Sequence, residues 1–242
     1  MKAVVIQAAM RTLPPAPLSA IVPGRALILA PHADDESLGC GGLIAACCAA
    51  GRPPLVVIVT DGAASHPHSG AWPPPRLRAQ RQAEALRAVA CLGLTPDHLV
   101  FLGLPDAATP HEGPVFEQVV NHLEQLLQTH GCTTIIAPWR ADPHCDHEAT
   151  WKMGVALQRR CGTALLAYPV WGWLLPADTE LDHRLPTGML LDIAPYRALK
   201  QRAIGMHESQ YGHLITDDPT GFSLPAALLD MLITDFEVFV EP

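Results

Sequence analysis

The stretch ALILAPHADDESLGCGGLIAACCAAG, residues 26–51, joins two apolar segments through a histidine and three consecutive acids. Residues 26–30 form an unbroken apolar run, which is typical of a buried strand, and residues 42–51 have a helical pattern that ends at a glycine. His32 and the acids at 34–36 occupy the connection. Because neighbouring carboxylates repel one another, their clustering requires compensation by water or by a cation.

The same alternation of short apolar runs and helical patterns continues along the chain. Strands are predicted at 54–62, 99–106, 133–138, 164–173 and 189–193, and helices at 76–93, 115–131 and 148–160. This alternation predicts an α/β fold, a Rossmann-like three-layer sandwich in which helices cover both faces of a mostly parallel sheet. We expect residues 25–242 to form this single domain. Residues 1–24, where Arg11 and several prolines interrupt a short apolar run, are expected to be an irregular N-terminal extension.

Polar side chains follow four of the predicted strands, at the point where each strand ends. In parallel sheets, ligands bind at the carboxyl ends of the strands. The segments that follow these strands are PHADDE at 31–36, TDG at 60–62, LPD at 104–106 and APWRADPHCDH at 137–147. The sequence therefore predicts a cluster of acids and histidines at one edge of the sheet.

The residue types in this cluster are those of a metal site. His32 and Asp35 are separated by two residues on one turn, and so are His144 and His147 on another. Imidazoles with a carboxylate, and without a full set of thiolates, suit a catalytic zinc or similar divalent ion that keeps an open position. Such an ion lowers the pKa of bound water from about 15.7 to about 7. The remaining acid, Asp34, is then free to accept a proton from that water.

Together, the two motifs resemble those of the PIG-L/LmbE-like zinc-dependent de-N-acetylases. That family has a P-H-P-D-D-E turn after its first strand and an H-P-D-H segment farther along the chain. Here they read PHADDE at 31–36 and HCDH at 144–147, so that Ala33 and Cys145 replace prolines without removing a ligand. The resemblance covers residues 25–215 and extends to further short matches, which are TDG with SH (60–66), RQAE (81–84), LGLPD (102–106) and HESQ (207–210).

The resemblance implies which residues of the two motifs bind the metal and which one activates water. His32, Asp35 and His147 correspond to the metal ligands, and Asp34 corresponds to the general base that activates water. The implied ion is Zn²⁺, although the ligand set accepts other divalent ions.

Further roles follow from the same resemblance. His144 corresponds to a residue that stabilises the oxyanion or acts as an acid, and Asp146 to the residue that orients it. Arg81 and Asp106 correspond to residues that hold sugar hydroxyls. Glu36 is expected to support its turn through hydrogen bonds to backbone amides.

The implied activity is removal of the N-acetyl group from an N-acetylglucosamine-type sugar or sugar conjugate, with release of acetate and a free amine. A small-molecule N-acetyl sugar is therefore the expected partner. The sequence does not decide whether the chain forms a homo-oligomer. One alternative is a hydrolase that acts on another acylated amine at the same site.

A nucleotide-binding Rossmann module is the second alternative. Gly39, Gly41 and Gly42 precede a helix, and Asp61 ends the next strand about 20 residues later, as in the dinucleotide fingerprint. The third glycine of that fingerprint is missing, and the acids at 34–36 would repel a pyrophosphate. Close packing of a helix on a strand explains the glycines better.

Composition argues against several other classes of protein. The formal charge is −8, and no Lys/Arg cluster suggests a nucleic-acid partner. No apolar stretch approaches the ~20 residues that a membrane span needs. The seven cysteines include no C-x-x-C pair, which is typical of a reducing compartment and predicts a cytoplasmic protein.

Overall fold

A central sheet forms the middle layer of the molecule. The computed structural model describes residues 1–182, 184–212 and 214–242. Within these residues the strands are β1 (Pro15–Ala16), β2 (Arg25–Ala30), β3 (Leu55–Thr60), β4 (Leu99–Leu104), β5 (Cys132–Pro138), β6 (Ala164–Tyr168), β7 (Gly188–Asp192) and β8 (Phe236–Val240). They lie side by side in the order β1-β7-β8-β6-β5-β2-β3-β4. The predicted α/β class with a mostly parallel sheet is confirmed.

Helices cover both faces of this sheet. They are α1 (Ala3–Arg11), α2 (Leu18–Ile21), α3 (Asp35–Ala49), α4 (Pro74–Cys91), α5 (Gly113–Thr129), α6 (Cys145–Cys161), α7 (Arg197–Gly205) and α8 (Ala226–Leu232). Alternate side chains of β2 and β3 enter opposite cores, one shared with α3 and α4 and the other with α5 and α6. Among the described residues, no helix is both long and apolar enough to cross a bilayer.

The parallel strands β4, β3, β2, β5 and β6 place their carboxyl ends at one edge. Strand β8 differs, since it runs antiparallel between β6 and β7. Its residue Glu237 is only 3% exposed, because its carboxylate accepts hydrogen bonds from Lys200 Nζ at 2.8 Å and from the backbone of α3. Because this buried position is an acid, the apolar pattern of the sequence does not predict the strand.

Helix α3 lies unusually close to the sheet. A Cβ atom at Gly39 would be 2.1 Å from the Tyr168 ring, and one at Gly42 would be 2.4 Å from Ile193. The glycines are therefore required for the close packing that the sequence suggested. Tyr168 in turn donates a hydrogen bond to the Leu29 carbonyl at 2.8 Å, which holds its ring in place beside β2.

The prediction of an irregular segment at residues 1–24 is wrong. This segment contains α1, β1 and α2, and β1 pairs in parallel with β7. Ala3, Ile6 and Met10 are at most 1% exposed. Their spacing forms an apolar stripe that packs into the main core, while the prolines lie after α1 and not within it.

Candidate active site

The edge formed by the strand carboxyl ends surrounds a cavity of about 520 Å³. The turn between β2 and α3, the segment after β4, and the start of α6 all reach it. Two predicted site residues, Asp146 and His147, are 0% exposed and lie behind the cavity lining. Asp146 contacts His32, and His147 contacts Asp35. The other predicted site residues line it directly, namely His32, Asp34, Asp35, Arg81, Asp106 and His144.

One carboxylate oxygen forms the centre of the predicted metal site. Asp35 Oδ2 lies 3.1 Å from His32 Nδ1 and 3.3 Å from His147 Nε2. Two ligand atoms that bind zinc at about 2.0–2.1 Å with tetrahedral angles are about 3.3 Å apart. Asp35 therefore lies from each imidazole at the separation of two ligands that share one ion. His32 and His147 also belong, with His144, to a group whose ligand atoms lie within 4.8 Å of one another.

The outer nitrogens of both imidazoles are held by other carboxylates. His32 Nε2 lies 3.1 Å from Asp146 Oδ2, and His147 Nδ1 lies 3.0 Å from Asp142 Oδ2. Each carboxylate holds the outer nitrogen of its imidazole, and the inner nitrogen faces Asp35 Oδ2. His147 Nε2 is fully buried and finds no hydrogen-bond partner among the described residues. A divalent cation fits this donor set.

The electrostatics of the cluster agree with this geometry. Burial disfavours a charge on His147, yet the nearby Asp35 and Asp142 outweigh it and raise its pKa to about 9. Burial would raise the pKa of Asp35, but the two histidines hold it well below its usual range. The site therefore favours positive charge at its centre.

The two outer carboxylates are anchored by backbone amides. Asp142 accepts hydrogen bonds from the amides of Val170 at 3.0 Å and Gly172 at 2.7 Å. Asp146 accepts from the amides of Ala107 at 2.8 Å and Thr109 at 3.1 Å. Sequence reasoning did not assign Asp142 a role, although it precedes both histidines of the second motif. Its signal was a second acid, besides Asp146, in the segment 137–147.

His144 differs from its predicted geometry in one respect. The carboxylate of Asp146 was expected to orient it, but that carboxylate lies 3.9 Å from His144 Nδ1 and contacts His32 instead. The backbone N–H of Asp146 donates to His144 Nδ1 at 3.2 Å, because His144 caps the first turn of α6. With Nδ1 as acceptor, the neutral ring carries its proton on Nε2. Burial and the neighbouring histidines lower the pKa of His144, which favours this neutral form.

Asp34 lies at the start of α3 with an unusual backbone conformation, φ 156° and ψ −29°. Such a conformation is strained in a residue other than glycine and persists only when its surroundings fix it. Its N–H donates to Glu36 Oε2 at 2.9 Å, and Arg81 Nη2 lies 3.4 Å from its carboxylate. Burial raises the pKa of Asp34 to about 6, although the Arg81 guanidinium opposes this shift.

Glu36 supports the turn, as the sequence suggested. Its other oxygen, Oε1, accepts hydrogen bonds from Ser37 Oγ at 2.7 Å and lies 3.0 Å from His207 Nε2. Both Glu36 and His207 are 0% exposed. This pair connects the turn to the segment after α7.

The two residues predicted to hold sugar hydroxyls are already engaged within the protein. Arg81 is 3% exposed and donates to the carbonyls of Gly62 at 3.1 Å and Ala33 at 3.0 Å. Asp106 accepts from the Ala64 amide at 2.9 Å, and its other oxygen lies 3.3 Å from His32 Nε2. Both side chains still border the cavity.

A fold and site of this kind define an α/β protein with a His/Asp cluster that could bind a metal ion at the strand carboxyl ends. The family model of PIG-L, described as GlcNAc-PI de-N-acetylase, matches residues 27–157, which contain both motifs. The chain belongs to the PIG-L family. No curated protein is similar to the chain at a significant level.

Solved structures with the same fold include several deacetylases. The N,N'-diacetylchitobiose deacetylase from Pyrococcus horikoshii is 19% identical with a TM-score of 0.65, covering 90% of this chain and 84% of that one. The A40926 pseudoaglycone deacetylase Dbv21 is 21% identical with a TM-score of 0.71, covering 90% and 96%. The zinc-inhibited form of teicoplanin deacetylase Orf2 is 20% identical with a TM-score of 0.63, covering 78% and 86%. At these identities the similarity establishes the fold.

Proposed function

We propose that this protein is a metal-dependent N-deacetylase that removes the acetyl group from an N-acetylglucosamine-type sugar or conjugate. The observation that carries the proposal is the convergence of two imidazole nitrogens on Asp35 Oδ2, beside the buried acid Asp34. Membership of the PIG-L family supports the reaction class. The products are acetate and a free amine.

His32, Asp35 and His147 would hold the ion, for which we propose Zn²⁺. When bound, a divalent ion of this kind supplies Lewis acidity, which polarises the amide carbonyl and makes a water molecule more acidic. Metal analysis of the purified protein identifies the ion. This matters because teicoplanin deacetylase Orf2 has a zinc-inhibited form.

Asp34 is the general base in this proposal. Its carboxylate lines the cavity and accepts the proton of the water whose oxygen attacks the acetamide carbon. The hydrogen bond to Glu36 and the Arg81 guanidinium fix its orientation. Asp34, protonated in that step, then delivers the proton to the nitrogen as the C–N bond breaks.

His144 stabilises the negative oxygen that develops during attack. Because the Asp146 amide occupies Nδ1, the Nε2–H of the neutral ring is the group available to an oxyanion in the cavity. Asp106, which also borders the cavity, is the residue we propose for a substrate hydroxyl. An acylated amine of another kind, hydrolysed at the same site, is the alternative substrate.

The remaining expectations from the sequence are proposals about partners and location. We place the protein in the cytoplasm, which its seven free cysteines support. Its substrate is a small molecule, and the cluster of acids at the start of α3 disfavours a nucleotide phosphate there.

The test is an Asp34→Asn variant, which preserves the size of the side chain and removes the base. We expect the variant to retain its metal and to lose about 10²–10⁴ in kcat for acetate release. Asp178→Asn, at an exposed aspartate, is the matched control and should retain full turnover. Full activity in Asp34→Asn would contradict the assignment of the base.

A further inference from the structure

The cavity has an aromatic side that the proposed chemistry does not use. Trp171 and Phe222 line it, and their rings meet edge to face with centroids 5.7 Å apart. Both are partly buried, and Pro67 and Pro143 add apolar surface to the same lining. Edge-to-face aromatic pairs of this kind are rigid apolar surfaces suited to ligand rings and alkyl chains.

Backbone hydrogen bonds hold this aromatic side in place. The Trp171 amide donates to Asp142 Oδ2 at 3.2 Å, the same oxygen that holds His147 Nδ1. The Phe222 amide donates to the Ser65 carbonyl at 2.8 Å. The apolar surface is therefore fixed relative to the metal ligands.

The loops that carry Pro67 and Phe222 are also joined to each other. Asp217 accepts hydrogen bonds from Ser69 Oγ at 2.7 Å and from the Ala71 amide at 2.8 Å. Asp218 accepts from the His68 amide at 2.9 Å. Because these contacts exist in the protein alone, the site is preformed and a ligand need not order it.

The polar groups expected to recognise a sugar are less available than this apolar surface. The Arg81 guanidinium donates to backbone carbonyls and faces Asp34, and Asp106 contacts His32 and the Ala64 amide. A cavity of about 520 Å³ lies within the ~300–1,000 Å³ typical of sites for drug-sized ligands. It therefore has room for more than the acetamide group and one sugar ring.

We propose that the substrate carries an apolar arm, aromatic or alkyl, that binds against Trp171 and Phe222. This inference rests on the proposed deacetylase function and narrows its substrate to an amphipathic N-acylated amine. The arm is attached either to the amine-bearing sugar or to the acyl group, since both are bonded to the amide that reacts at the metal centre.

Kinetics on a matched set of substrates distinguish these two attachments. The set contains N-acetylglucosamine, its phenyl and octyl β-glycosides, and N-octanoylglucosamine. We expect at least one arm to raise kcat/KM at least about tenfold over N-acetylglucosamine, since pocket contacts of one or a few carbons discriminate by about 10–200-fold. The compound with the raised kcat/KM shows whether the arm is attached to the sugar or to the acyl group. Equal kcat/KM for all four would overturn the inference while leaving the deacetylase in place.

Variants connect any gain to the aromatic side. Trp171→Ala and Phe222→Ala should reduce the ratio of kcat/KM between the armed substrate and N-acetylglucosamine by about tenfold or more. Phe236→Ala, at an exposed phenylalanine outside this cavity, is the matched control and should keep the ratio. Phe222→Leu retains an apolar side chain and should keep most of the ratio of kcat/KM. A ratio unchanged in both alanine variants would contradict the assignment.

A binding measurement separates this inference from the proposed reaction. Phenyl and octyl β-glucosides have no acetamide and are not substrates, so calorimetric titration reports the apolar subsite even in a protein that releases no acetate. We expect wild type to bind at least one of them and both alanine variants to bind it at least tenfold more weakly. Absence of binding by wild type would overturn the subsite, whereas binding without acetate release from any compound would contradict the deacetylase alone.

Discussion

At the scale of single residues, the proposed metal site depends on which nitrogen of each imidazole carries the proton. Asp146 and Asp142 hold the outer nitrogens of His32 and His147, so that both inner nitrogens face Asp35. Asp142 is 4% exposed and His147 is 0% exposed, so water cannot replace this contact. We therefore expect the outer carboxylates to contribute to the affinity of the proposed site for its ion.

An Asp142→Asn variant tests this dependence. The amide keeps the shape of the side chain, but its nitrogen would face the proton of His147 Nδ1 and favour the wrong tautomer. We expect metal affinity to fall by about 10–100-fold, measured by competition with a chelator of known affinity. Asp97→Asn, at an exposed aspartate, is the control and should bind metal as wild type does. Wild-type affinity in Asp142→Asn would contradict the role of this carboxylate.

At the scale of elements, the start of α3 determines where the reactive groups lie. Its first turn carries Asp35, and the preceding Asp34 is held in a strained conformation by Glu36. His207, in the segment after α7, stabilises Glu36 with Nε2 at 3.0 Å from Oε1. A contact between two elements that are remote in sequence therefore supports the proposed base.

The pH dependence of stability reports this contact. Burial disfavours the charged form of His207, as does the lack of a described partner for Nδ1, but Glu36, Asp34 and Glu84 outweigh these effects and raise its pKa. For a group whose pKa is raised in the folded state, the stabilisation is fully present below the unfolded value of about 6.5. It is lost as the pH rises through the folded value.

A His207→Gln variant should therefore be destabilised more at pH 6 than at pH 9. We expect a loss of about 1.5–3 kcal/mol in the free energy of unfolding at pH 6, since a charged buried hydrogen bond is removed. Urea unfolding of both proteins at both pH values measures it. His122→Gln, at an exposed histidine of α5, is the control. A deficit that grows as the pH rises would contradict a charged His207.

At the scale of the whole molecule, the sequence predicts best where the signal is local. The alternation of apolar strands and helices predicted the parallel part of the sheet, because each β-strand and helix there packs with a near neighbour in sequence. Strand β8 escaped prediction, because its buried Glu237 is explained by Lys200, 37 residues away, and by amides of α3 that are still farther away in sequence. Asp146 was assigned to the wrong histidine for the same reason, since His32 is 114 residues away.

The N-terminal segment is a further part of the whole-molecule core. Ile6 in α1 is 1% exposed, whereas its neighbour Val5 is 44% exposed. We expect Ile6→Ala to lower the free energy of unfolding by about 2–5 kcal/mol, because it leaves a cavity in the core. Val5→Ala should change it by less than about 0.5 kcal/mol, as is usual at the surface. Equal effects in urea unfolding would show that α1 does not belong to the folded core.

The most direct test of the account is acetate release by metal-analysed protein from the N-acetylglucosamine compounds. We predict about one divalent ion per chain, held by His32, Asp35 and His147. Acetate and free amine should form in equal amounts, with turnover lost on chelation and restored when the ion is returned. Turnover that survives removal of the ion, or a chain that binds no divalent ion, would contradict the metal-dependent deacetylase.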